Sequence, residues 1–322
     1  DVQEKENEIL KKENALKDLE NESQRDQNRI ITFTSIGGGI LLIAFIFFQL
    51  KNNRILKGAN KEITEQRDMI SLQKKEITDS INYARNIQDS IIPDDDAFTT
   101  RFEDHFVLYK PKDVVSGDFY WIEEAHGKVY WSVVDCTGHG VPGAMVSLVG
   151  FNILNKVLLE YGVTDPAKIL DRMARMVEEA FDRSDANIRD GMDLGLCCYD
   201  PRTQELRFSG ANNGVWIIRR NELTDIRPDK QPIGKYEYRK PFTTRKVQLE
   251  PYDLVILYSD GYADQFGGES GKKFKSNNLK KLLKTLSDQK GSEIARELDT
   301  TFRNWKGDIE QIDDVCIIGV RV

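Results

Sequence analysis

Hydrophobic and polar positions change their spacing three times along this chain. Residues 1–29 are charged and helix-prone; Ile9 and Leu16 are one heptad apart and Asp26 breaks the pattern, so the segment reads equally as a solvated helix or a short coil. Residues 30–50 (IITFTSIGGGILLIAFIFFQL) carry no charge. At about 1.5 Å per residue this run matches the ~30 Å hydrocarbon core of a bilayer. A signal peptide would have a shorter apolar core followed by a small-residue cleavage site, whereas Lys51, Asn52, Asn53 and Arg54 follow here, so the run predicts a transmembrane helix. Leu56, Ile63, Ile70, Ile77, Ala84 and Ile91 are then seven apart, and this seam predicts a parallel, dimeric coiled coil over 51–92. The second seam holds Asn60, Arg67 and Lys74 before Ile81, which makes the coil marginal; the alternative is one amphipathic helix packed on the next domain. Pro93 and the acids Asp94–Asp96 end the helix.

From about residue 100 the spacing becomes that of strands. Residues 105–109, 119–123 and 128–135 read as strands, 143–161 as a long helix, and 166–181 as a second helix capped by Thr164 or Asp165 with Pro166 in its first turn. Strands follow at 192–199, 205–209 and 215–220, then a loop-rich stretch over 221–241, then strands at 242–249 and 254–259. The Gly- and Lys-rich segment 267–275 is expected to be mobile. Helices near 277–286 and 292–304 precede a last strand at 315–320. Consecutive hairpin-like strands with paired helices between them predict an α+β domain over 100–322 rather than alternating βαβ units.

Charge and composition narrow this further. The 322 residues are 31% charged with a formal net charge of −7, which argues against nucleic acid as the main partner. Lys51, Arg54, Lys57 and Lys61 follow the apolar run, against Arg25 and Arg29 before it, so the positive-inside rule puts the C-terminal side in the cytoplasm. The four cysteines, Cys136, Cys197, Cys198 and Cys316, sit in apolar runs without metal-ligand spacing and read as buried thiols. The sequence begins at Asp1, not Met; an N-terminal sensor domain preceding it is expected.

The candidate chemistry lies at strand ends. In VVDCTGHGVPG an apolar run ends on Asp135, followed by a tight turn and a helix. LVILYSDG places Asp260 after a second run, IEQIDDVCIIGV places Asp313 and Asp314 before a third, and VVSGDFYW carries Asp118. A carboxylate at the end of a buried strand is costly unless a cation meets it. Converging acids suit a hard divalent ion such as Mg²⁺ or Mn²⁺, which favours oxygen ligands.

At these residues the chain resembles a known family. VVSGDFYW, VVDCTGHGVPGAMVS, DGMDLGL, LYSDGYAD and IDDVCIIGV, in this order, are similar to the motifs of the metal-dependent Ser/Thr protein phosphatases of type 2C. YARNIQDSIIP and QPIG resemble their bacterial SpoIIE/RsbU-like branch, and the likeness covers about 80–322. The resemblance implies a four-layer αββα sandwich and two Mn²⁺ or Mg²⁺ ions, with a third as an option. It implies that Asp135 bridges the two ions, that the Cys136 carbonyl binds one, and that Asp260 and Asp313 hold the second, with Asp314 the alternative to Asp313 and Asp118 in or just behind the ligand set. The family usually has Gly where this chain has Cys136. Asp193 and Asp264 are weaker candidates for an additional metal or a structural role. The chemistry implied is attack of a metal-activated water on phosphoserine or phosphothreonine, with Asp118, Asp135, Asp260 and Asp313 as the catalytic acids. His139 is read as orienting the turn, the alternative being a general acid or phosphate contact. Lys110 and Lys112 are read as phosphate contacts or solvated strand ends, and 211–214 as a hairpin turn beside the site.

The expectation is therefore a single-pass protein of the bacterial inner membrane, homodimeric through its linker, with a cytoplasmic phosphatase domain. Its partner would be a phosphorylated protein, with a STAS-type anti-sigma-factor antagonist as the instance relatives suggest. A metal-free, phosphatase-like binding module is the competing function. A sensor histidine kinase shares the membrane–coil–domain layout, but no histidine lies between 51 and 104 to accept phosphate.

Overall fold

The computed structural model describes residues 2–182 and 190–322; Asp1, the first residue of the predicted N-terminal segment, lies outside them. The chain divides into two units, 1–76 and 77–322. In the first, helix α1 (Val2–Asp89) continues without a break through the charged segment, the apolar run and most of the heptad stretch. Its large apolar side chains from Ile30 to Leu50 are exposed, as are Leu56, Ile63 and Ile70 of the seam. By length and composition two helical stretches among the described residues could cross a membrane: α1, whose apolar window is wholly exposed, and Gly140–Glu160, which is half buried.

In the second unit α1 stops at Asp89, short of Ile91, and a turn leads to α2 (Asp95–Thr99). The Asp94 carboxylate caps α2 by accepting from the Ala97 N–H at 3.1 Å. Strands β1 (Asp104–Lys110), β2 (Phe119–Ala125) and β3 (Lys128–Cys136) follow, then α3 (Gly140–Asn155), a π-helical turn (Lys156–Glu160) and α4 (Pro166–Phe181). The chain continues through β4 (Gly191–Asp200), β5 (Glu205–Ala211), β6 (Val215–Arg219), β7 (Glu222–Ile226), β8 (Ile233–Gly234), β9 (Arg245–Gln248) and β10 (Leu254–Tyr258). It ends with α5 (Gly261–Asp264), the short hairpin β11 (Phe266–Gly267) and β12 (Lys272–Lys273), α6 (Ser276–Leu286), α7 (Gly291–Lys306) and β13 (Val315–Arg321).

Two antiparallel sheets form the middle of the domain. One has the order β1-β13-β10-β6-β7; the other has β2-β3-β4-β5-β9, with β8 paired to β4. Three apolar clusters divide the space around them. Val129, Trp131 and Val133 of β3 meet Val255, Leu257, Ile318 and Val320 between the sheets. Tyr130, Val134 and Cys136 point the other way, onto Ile153, Leu154, Ile169 and Leu170 of α3 and α4. Ile256 and Ile317 of the first sheet pack on Leu279, Leu283, Leu298 and Phe302 of α6 and α7. The layers therefore run helix, sheet, sheet, helix. β3 is covered on both faces, so its sequence reads as an apolar run instead of an alternation. Burial of each such large side chain contributes about 1.5–3 kcal/mol.

Some expected boundaries move. α3 begins at Gly140, three residues earlier than expected, because Gly140 takes φ 64° and Pro142 fits a first helical turn. The stretch 221–241 holds β7 and β8. The strand expected over 242–249 shrinks to β9, since the Phe242 N–H is spent on Asp171 Oδ1 at 3.0 Å. The segment 267–275, expected to be mobile, carries β12 and the end of the β11–β12 hairpin.

Candidate metal centre

Each candidate acid is placed by strand register. β2 and β3 pair Phe119 with Val134, which sets Asp118 beside Asp135 at one end of their sheet. β3 and β4 pair Asp135 with Asp193. In the other sheet β10 and β13 pair Tyr258 with Ile317, and the Ser259 N–H donates to the Cys316 carbonyl at 2.8 Å. That register brings Asp260, just past β10, to the same end as Asp313, just before β13. The two sheets meet here: the Asp260 N–H donates to Asp135 Oδ2 at 3.5 Å. Close approach requires glycine at Gly261, where a Cβ would collide with the Asp314 carbonyl oxygen and lie 3.4 Å from Asp313 Cβ. A cavity of about 260 Å³ opens at this end, lined by Asp135, Asp193 and Asp260 together with Thr137, Gly191, Met192 and residues 232–235.

The electrostatics mark the acids as one cluster. Burial raises the Asp118 carboxyl well above the usual range, and Asp135, Asp314 and Asp313 push the same way while Ser259 opposes. Asp135 is raised by burial, then by the charges of Asp260 and Asp313. Asp260 is pushed up to about 6 by burial first, then by Asp264, Asp313 and Asp193, with Lys273 opposing. Asp193 is raised by burial and held back by the Asn212 side-chain N–H, which donates to it at 2.9 Å. Asp118 Oδ2 is buried and has no hydrogen-bond partner. Among the described residues no three His, Cys, Asp or Glu side chains are already closed into a metal-ligand trio. An orphaned buried carboxylate oxygen within a field of like charges nevertheless suits a hard divalent cation, because only added positive charge relieves every member at once.

The Asp314 carboxylate is engaged by two backbone amides. Its Oδ1 accepts from the Lys112 N–H and its Oδ2 from the Gly117 N–H, both at 2.7 Å. Asp314 thus clasps the loop that delivers Asp118, while the Asp313 carboxylate accepts from the Asp314 N–H at 2.9 Å. The Cys136 thiol is buried and its pKa is raised by burial, so only the backbone of that residue is suited to a ligand role. His139 Nδ1 lies 2.6 Å from Asp113 Oδ2 and its Nε2 lies 2.9 Å from Lys112 Nζ, an arrangement that ties the turn before α3 to the 112–117 loop. Lys110 is held by Asp299 at 2.5 Å, and Asp264 by Lys273 at 2.6 Å. Two residues that reading the motifs missed also meet this region. Lys235 lines the cavity. Gln88, from the last turn of α1, is buried against Ser116 and Ser147. QPIG and YARNIQDSIIP flag the segments, but no periodicity shows what those two side chains touch.

The raised carboxyls make the metal-free protein pH-sensitive in a defined direction. Below about pH 4, the ordinary aspartate range, these acids are protonated whether folded or not and carry no penalty. As pH climbs through the raised folded-state values, about 6 for Asp260, the folded state must ionise crowded acids that the unfolded state ionises freely. The folded state binds more protons in this window, so stability falls as pH rises. Thermal unfolding in chelator is expected to show a lower Tm at pH 8 than at pH 5, and Mn²⁺ should reverse the difference.

Comparison with known proteins adds the following. The family model described as Stage II sporulation protein E (SpoIIE) matches residues 125–322, a span that holds Asp135, Asp260 and Asp313 but begins after Asp118. The SiaA-PP2C domain of Pseudomonas aeruginosa is 32% identical, with TM-score 0.72, over 77% of this chain and 98% of that one. The PP2C phosphatase domain of SpoIIE from Bacillus subtilis, with a fragment of its regulatory domain, is 22% identical, with TM-score 0.55, over 68% of this chain and 63% of that one. The RsbU and RsbW domains of a Mycobacterium tuberculosis protein share the fold at 15% identity and TM-score 0.56, over 68% of this chain and 59% of that one. No curated protein matches the chain.

Proposed function

Because this chain belongs to the SpoIIE/RsbU-like branch of the metal-dependent Ser/Thr protein phosphatases, we propose that it removes phosphate from serine or threonine of a partner protein at the 118/135/260/313 acid cluster, under control of its helical linker. The observation that carries this reading is the Asp260 N–H on Asp135, which joins the acid-bearing ends of both sheets at one cavity. Asp135 interacts with Asp118 on its own sheet and with Asp260 and Asp313 on the other, which supports it as the acid that two ions would share. Mn²⁺ or Mg²⁺ bound there would supply charge for the phosphoryl oxygens and lower the pKa of the attacking water. Asp118, Asp260 and Asp313 would complete the ligand set with the Cys136 carbonyl, Asp193 is available for an additional ion, and Asp314 holds the Asp118 loop in place. Gly191 and Met192 of β4 and Ile233 and Gly234 of β8 form one wall of the cavity beside the acids.

The remaining parts of the reading concern placement and control. Residues 30–50 anchor the chain in the bacterial inner membrane as a single pass, with the phosphatase domain in the cytoplasm. Within the linker 51–92 the helix pairs with a second copy along its exposed part; the exposed heptad residues Leu56, Ile63 and Ile70 support this. The substrate is a phosphorylated protein, for which a small STAS-type anti-sigma-factor antagonist is the specific candidate. One experiment tests chemistry and control together. The chain in detergent or vesicles should hydrolyse p-nitrophenyl phosphate only with Mn²⁺ or Mg²⁺, and inserting one residue between Gln66 and Arg67 should change that rate severalfold without changing the Tm of the phosphatase domain. No hydrolysis by the parent chain, even of phosphoprotein, would leave a binding module; an unchanged rate after insertion would reduce the coil to a tether.

A further inference from the structure

Among the described residues that line the acidic cavity, one side chain is basic: Lys235. It lies one residue beyond β8, whose pairing with β4 sets Gly234 opposite Gly191 and fixes the backbone at the cavity wall. Its ammonium is 2.9 Å from Asp182, just past α4, and both side chains are about half exposed. An exposed pair of this kind is a weak tie that water and salt compete for.

The other described cations near the acids do not line this cavity; Lys273, which acts on Asp260, is held by Asp264 at 2.6 Å. Lys110 is held by Asp299, with both side chains about three-quarters covered. Lys112 meets His139, and Arg239 is bound to Glu178 and to the Gly234 carbonyl. Lys235 therefore combines a place in the cavity, a flexible four-carbon stem and an exchangeable partner. A cavity of about 260 Å³ has room for a phosphorylated side chain but not for a folded segment, so a cation on its wall shares space with the phosphoryl group itself.

We propose that Lys235 is a substrate-binding residue, whose ammonium leaves Asp182 and takes a phosphoryl oxygen of the phosphoserine or phosphothreonine in the cavity. This rests on the phosphatase reading above and adds to it a residue that determines affinity. The contact exists once the phosphoryl group has arrived and is not specific to the transition state, so its loss falls on KM and leaves kcat nearly unchanged. Asp182 competes for the same ammonium, so removing its charge acts in the opposite direction.

The test uses the full chain with Mn²⁺, p-nitrophenyl phosphate as substrate and inorganic phosphate as competitive inhibitor. Lys235→Ala and the stem-retaining Lys235→Gln are expected to raise KM and the phosphate inhibition constant about tenfold, the scale of one charge-assisted hydrogen bond, with kcat within about twofold. Lys235→Arg should stay near the parent, and Asp182→Asn should lower KM. If the pair only ties the loop to α4, the Lys235 and Asp182 variants will move together, and that result overturns the proposal, as does an unchanged KM in Lys235→Gln. Calorimetric binding of inorganic phosphate to the Mn²⁺-loaded protein keeps the two readings separable. A parent chain that binds phosphate through Lys235 but hydrolyses nothing would sink the phosphatase reading alone; equal binding by parent and Lys235→Gln would sink this one alone.

Discussion

Replacement of Asp135 by Asn should cut metal-dependent hydrolysis about a thousandfold while making the metal-free protein more stable at pH 8. Both effects follow from the position of the carboxylate at the end of β3, buried and facing Asp260 and Asp313. Asn keeps the shape, and its side-chain carbonyl can still accept from the Asp260 N–H, so the junction between the sheets survives. What disappears is the charge. Without metal that charge is a liability, since burial and like-charged neighbours oppose it, and its removal also relieves Asp118, which Asp135 pushes upward. With metal, on the proposed reading, the same charge would help to hold the ions. Thermal unfolding at pH 8 should therefore give a higher Tm for Asp135→Asn than for the parent in chelator, and the Mn²⁺-induced rise, large in the parent by mass action, should be lost. A variant that keeps a Mn²⁺-dependent Tm rise or near-parental turnover would mean that the acids do not share their ions through Asp135.

The acids themselves were legible in the sequence because strand ends are legible. β3, β10 and β13 are buried on both faces, so their runs are almost wholly apolar, with Ser132 the polar exception inside β3, and a carboxylate flanking such a run stands out. Relative placement was harder to read. Asp313 and Asp314 are adjacent, and only the backbone amides of Lys112 and Gly117, both far away in sequence, show that Asp314 holds a loop. Asp193 sits mid-motif in DGMDLGL with no strand-end signature; register opposite Asp135 brings it to the cavity. β7 and β8 were hidden by the prolines and glycine around them: β8 is two residues long and exists through its pairing with β4, and β7 is an edge strand with exposed Glu222, Thr224 and Asp225. The heptad seam predicted a helix correctly but could not predict its end, because Ile91 continues the period while a turn after Gln88 takes the chain elsewhere.

Just before that turn the end of α1, within the second unit, packs on the loop that carries Asp118, and this supports a second large effect. Gln88 Oε1 accepts from the Ser116 N–H at 3.0 Å, and its Nε2 donates to the Ser116 carbonyl at 2.7 Å and to Ser147 Oγ at 3.1 Å. Ser116 is fully buried, so no water can replace a lost partner without rearrangement. The loop that carries Asp118 is thus gripped from two sides, by Asp314 at Gly117 and by Gln88 at Ser116, and a Cβ at Gly117 would collide with the Gly138 carbonyl oxygen of the turn that follows Asp135. Gln88→Ala is expected to cost about 1–3 kcal/mol of domain stability. It should also lower turnover by about a hundredfold, because a shift of about 1 Å in a positioned group has effects on that scale. Gln88→Glu is the sharper probe. It keeps the acceptor for the Ser116 N–H, and when ionised it loses both donated bonds and adds a buried negative charge beside the loop that Asp314 clasps, so it should be at least as damaging although it is nearly isosteric. Raised Mn²⁺ should recover part of the turnover in both variants if the loop is displaced and not destroyed, since ion binding favours the placed form of Asp118. The pair of measurements, Tm in chelator and turnover against Mn²⁺ concentration, separates a merely stabilising contact from one that sets the metal site. A drop in Tm with parental turnover would confine Gln88 to the first role and leave the linker without this route to the active centre.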